Sequence, residues 1–82
     1  MNQKIKQAVL KVLLACDGLP MPESALISGV ENLSRAELPT RKEIKAGIEQ
    51  LYSAQLIIGA TDDITGTSWA LTTAGNLKAR QL

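Results

Sequence analysis

The stretch from Thr40 to Leu71 constrains this chain most, because its apolar periodicity changes from that of a helix to that of strands within one run. Ile44, Ile48, Leu51 and Gln55 recur at helical spacing on one face, so residues 40–55 read as a helix. Thr40 follows Pro39 and can cap the first turn through its hydroxyl. The opposite face carries Lys42, Ala46, Glu49 and Ser53, with Arg41 and Lys45 at its edge. Leu56 to Thr61 is β-rich, Asp62 to Thr67 reads as a polar turn, and Ser68 to Thr72 alternates polar and apolar as a half-buried strand does. A helix running into a hairpin is the prediction. Trp69 shares a strand face with Leu71 and is expected to be largely buried between hairpin and helices.

The flanking segments read as helices. Asn2 to Cys16 is the first, with Ile5, Val9, Val12, Leu13 and Cys16 inward. Leu10 and Leu14 then lie roughly opposite, one turn apart, and want a cover. That cover is either the C-terminal helix, through Leu77 and Leu82, or a second copy in a two-fold dimer. Asp17-Gly18-Leu19-Pro20 reads as the stop, with Gly18 left-handed and Leu19 folding back. Pro22 suits the first position of a second helix ending near Asn32, whose stripe is Leu26, Ile27 and Val30. Gly29 within it marks either a close approach to another helix or a tolerated imperfection. Asn32 to Pro39 reads as a loop with Leu33 and Leu38 tucked inward. Thr72 or Thr73 caps a short last helix, with Leu71, Ala74 and Leu77 inward and Lys78 and Arg80 near its end. The expected order is three helices, two strands and a helix, in one α+β domain over residues 1–82.

The chemistry available is narrow. There is no His and one Cys, so imidazole catalysis, the common zinc sites and an internal disulfide are absent. Cys16 reads as a small buried hydrophobe in a reducing compartment. No phosphate-binding loop or dinucleotide fingerprint occurs, and Asp62 to Gly66 lacks the alternating ligands and closing glutamate of a calcium loop. No catalytic residue, metal site or cofactor is expected, and the chain does not read as an enzyme. The N-terminus carries no long apolar run, so neither signal peptide nor membrane span is expected, and the setting reads as cytoplasmic. A formal net charge of +1 makes no bulk argument for nucleic acid. Placement does: Arg41, Lys42 and Lys45 fall on the first half of the third helix, and Arg35 lies in the loop before it.

Two stretches resemble a known family. Ile48 to Ile57 is similar to the end of the recognition helix in MarR-like and related winged helix-turn-helix regulators of bacteria or phages. Trp69-Ala70-Leu71-Thr72-Thr73-Ala74-Gly75 is similar to the segment that closes their wing. The resemblance implies a winged helix-turn-helix: a three-helix core, a two-stranded hairpin wing and a short C-terminal helix. It implies double-stranded DNA as partner, with helix 40–55 in the major groove. The nucleic-acid-binding set is then Arg35, Thr40, Arg41, Lys42, Lys45 and Glu49, with Ala46 small enough for close approach and backbone amides of the helix start aimed at a phosphate. It also implies a homodimer through Leu10, Leu14 and the C-terminal helix. Three departures stand out. Gln55 replaces the usual helix-ending glycine, the loop before the third helix is long, and the wing tip is Asp62-Asp63 where DNA-binding wings usually carry Arg or Lys. Two functions fit: a small DNA-binding transcriptional regulator, and a winged-helix protein-interaction module. In a purely solvated face, Lys45 and Glu49 would pair at i, i+4.

Overall fold

The computed structural model describes residues 3–16, 19–33, 35, 39–64 and 66–82. The fold is built around its first helix, α1 (Gln3–Leu14). Ile5, Val9 and Leu13 are buried as their spacing demands. Ala8 and Leu10 are buried too, so α1 hides an arc of about 200° at 100° per residue. The reason is that α2 (Glu23–Leu33), α3 (Arg41–Ser53), α4 (Thr73–Arg80) and the sheet all pack against it. Leu10 is only 3% exposed and Leu14 is partly buried against the core; of the two covers expected, the chain's own C-terminal helix packs on α1, and Leu82 lines a cavity with Leu10. An outward leucine pair for a dimer therefore does not exist. Val12 and Cys16 are only partly buried.

The second helix begins at Glu23, not Pro22. Met21–Pro22 instead form a short strand, β1, that pairs antiparallel with β3 (Gly66–Leu71) through Met21↔Trp69 and Pro22↔Ser68. An edge position suits a proline, which has no amide proton to give to a ladder. The hairpin of β2 (Ile57–Asp62) and β3 thus becomes a three-stranded sheet of order β1-β3-β2 where two strands were expected. On α2, Leu26, Ile27 and Val30 are buried. Gly29 marks a close approach, since a Cβ there would lie 3.0 Å from Cγ1 of Val12 on α1. Leu33 and Leu19 point away from the core, at 54% and 68% exposed. The turn expected at Asp17 and Gly18, and the inward Leu38, lie outside the described residues.

In the sheet, Ile57 is buried and Leu71 packs partly against the core. Trp69 is partly rather than largely buried. Its ring lies over its cross-strand partner Gly59, where a Cβ would come within 2.7 Å of Cζ3. The same ring meets Tyr52 of α3 in a T-shaped contact, with ring centroids 5.6 Å apart and planes at 69°. In α4 the inward residues are Gly75 and Ala79, whereas Ala74 is exposed and Leu77 is 60% exposed. Small residues at i, i+4 let α4 lie close. A Cβ on Gly75 would fall on the carbonyl oxygen of Leu56. Among the described residues no helix is long and apolar enough to cross a membrane.

Candidate nucleic-acid interface

The start of α3 is fixed by side chains that bond its own backbone. Thr40 is extended, with φ −78° and ψ 159°, and its Oγ1 accepts from the Glu43 amide at 3.1 Å. Oε1 of Glu43 accepts in return from the Thr40 amide at 3.2 Å and from the Thr40 hydroxyl at 3.1 Å. This is a closed capping box, which satisfies two amides that a helix start otherwise leaves open. The next amide, of Ile44, bonds the Thr40 carbonyl. Those of Arg41 and Lys42 bond nothing among the described residues and lie at the positive end of the helix dipole. Thr40, expected to assist DNA contact, thus has its hydroxyl engaged in the cap. The spacing Thr40-x-x-Glu43 was the available signal for Glu43.

Ile44, Gly47, Ile48 and Leu51 are the buried side of α3, and Gly47 lets Ile5 of α1 approach. The opposite side is exposed throughout: Lys42, Ala46, Glu49 and Ser53 at its centre, Arg41 and Lys45 along one flank. Lys42 and Glu49 are two turns apart and only about 20° from alignment along the helix. Arg41, Lys42, Lys45 and Glu49 form no ion pair among the described residues, and the i, i+4 pairing of Lys45 with Glu49 is not made. Arg35, in the loop before α3, is exposed. The expected set therefore divides. Arg41, Lys42, Lys45 and Glu49 share one exposed helix surface, Thr40 shapes its start, and Arg35 stands outside it on the adjoining loop.

The end of α3 is as well defined as its start. The Gln55 amide bonds the Tyr52 carbonyl and the Leu56 amide bonds the Leu51 carbonyl, each at 3.0 Å. This is the paired closure that normally places a glycine in the left-handed region. Gln55 occupies it with φ +62°. It is exposed, not inward. The hairpin that follows carries Asp62, Asp63 and Ile64 exposed at its tip, with Oδ1 of Asp62 accepting from the Ile64 amide at 2.7 Å. Among the described residues no three His, Cys, Asp or Glu side chains converge on a metal position.

No protein-family model matches this chain, and no curated protein does. Among solved structures it is similar to the crystal structure of a transcriptional regulator of the MarR family from Silicibacter pomeroyi, with a TM-score of 0.73 over 95% of this chain. Sequence identity is 22%, and the chain spans 47% of that protein's length. The likeness establishes the winged-helix fold: a helical core, the helix now described as α3, and a hairpin wing.

Proposed function

We propose that this winged-helix domain binds duplex DNA, as a small transcriptional regulator that lays the outward face of α3 in the major groove. The observation that supports it is the cationic first half of α3. Arg41, Lys42 and Lys45 are exposed and free of ion pairs among the described residues. In helix-turn-helix domains the N-terminal part of this helix reaches the bases, and Arg and Lys there bond guanine O6 and N7 or neutralise phosphates. The amides of Arg41 and Lys42, unbonded among the described residues, add an anion-binding terminus beside them. Arg35 supplies a further phosphate contact from the loop. The similar protein is described as a transcriptional regulator, which points the same way. The setting we infer is a bacterial or phage genome in the cytoplasm.

The wing tip is assigned no DNA contact, because Asp62 and Asp63 would face phosphates. That same tip, with Ile64 93% exposed between charged and polar neighbours, favours a second reading: a module that presents its wing to a basic protein surface. Of the residues expected at a homodimer interface, Leu77 and Leu82 are exposed and Leu10 belongs to the core. An NMR titration with random duplex DNA at low salt tests the main reading. Amide shifts should concentrate between Arg41 and Glu49. Shifts confined to residues 62–64, or none, would refute it.

A further inference from the structure

The third helix carries two carboxylates, and among the described residues only one has a structural partner. Glu43 closes the cap on Thr40. Glu49 makes no hydrogen bond and no ion pair among the described residues. It is exposed at the centre of the outward face, two turns beyond Lys42. On one side its neighbours on that face, Ala46 and Ser53, are small and leave it room to approach a surface; on the other it is flanked by Lys45 and the half-exposed Tyr52.

Beside a duplex such a group is repelled by the phosphates, a cost that a hydrogen bond donated to it by a base offsets. The floor of the major groove offers few donors. Guanine presents two acceptors there, and thymine an acceptor and a methyl group. Adenine presents an amino group, but its N7 acceptor lies beside it and faces the second carboxylate oxygen. Cytosine presents its N4 amino group with no acceptor of its own next to it.

We propose that Glu49 is a specificity-determining residue of α3, which selects a cytosine by accepting a hydrogen bond from its N4 amino group. This rests on α3 being the DNA-binding helix. The basic residues then supply affinity and the lone carboxylate supplies discrimination, because it penalises every base edge that lacks a donor.

The test is selection of bound duplexes from a randomised library at low salt, with the wild type, Glu49→Ala and Glu49→Gln. The side chain is exposed, so both variants should melt as the wild type does. The wild type should enrich sites with a cytosine at one position, and replacing that base should weaken binding about tenfold, within the range of a single base contact. Glu49→Ala should lose the preference at that position and keep the others. Glu49→Gln should move it to adenine, whose N6 and N7 suit an amide. A base switch is something that mere removal of a repulsive charge cannot produce. If both variants keep the wild-type motif and only bind more tightly, Glu49 is a repulsive charge and the inference fails. A wild type that binds duplex with no base preference also refutes it, while leaving DNA binding intact. A wild type that binds no duplex overturns the DNA-binding reading and this inference with it.

Discussion

Gln55 shows what one residue can cost without changing the fold. A side chain at φ +62° crowds its own backbone, at about 1 kcal/mol or more relative to the right-handed region. Around it, two amides are satisfied on the helix side. On the other side its carbonyl accepts from Oγ1 of Thr72 at 2.8 Å. The surroundings therefore impose the conformation that glycine would adopt freely. Gln55→Gly should stabilise the domain by about 0.5–1 kcal/mol, the relief being partly offset by the freer unfolded chain. A thermal melt should rise by about 4 °C. A fall would mean that the glutamine side chain has a role of its own. The sequence flagged this position as a departure from glycine but could not say whether the turn would change. The turn is kept and the residue bears the strain. Glu43 was legible in principle, through its spacing from Thr40, yet it reads as an ordinary surface charge until the cap is seen.

At the level of the element, α3 was the most legible part of the chain. Its buried and exposed sides follow from one periodicity, and Lys42, Ala46, Glu49 and Ser53 are exposed as that periodicity requires. Helix α1 was less so, because a single stripe is the signature of a helix packed on one side. Leu10 is buried by neighbours that sequence periodicity cannot count. Strand β1 was illegible for a different reason: two residues carry no period, and Met21-Pro22 also reads as a helix start. The exposed cations of α3 lead to a measurable prediction. At about −0.9 per neutralised phosphate, the three cations of α3 contribute roughly −3 to the log–log salt slope of duplex binding. Replacing Arg41 and Lys42 together with alanine should bring that contribution to roughly −1, with the melting temperature unchanged. An unchanged slope would mean that other cations make the contact.

For the whole molecule the decisive residue is Leu10. Were it an outward leucine, Leu10→Glu would yield a folded monomer. At 3% exposure, the same change puts a carboxylate into the core cluster, beside the cavity that Leu10 lines with Leu51 and Leu56. The expected result is loss of the cooperative thermal transition by circular dichroism, since an uncompensated buried charge costs several kcal/mol, comparable with the stability of a small domain. A folded variant would mean that α1 faces solvent there. One further consequence lies at the base of the wing. The Thr72 amide bonds the Leu56 carbonyl at 3.1 Å, its hydroxyl bonds Gln55, and Gly75 seats α4 on that same carbonyl. Residues 57–71 are therefore drawn shut at a neck that makes its own bonds to the helices on either side. Beyond the neck Trp69 still meets β1 and Tyr52 of α3, and it is the tip, residues 62–64, that stands clear of the body. That tip can be lengthened, shortened or exchanged for another while the body stays in register, so under the proposed function the wing's partner and the base choice of α3 would be free to diverge independently.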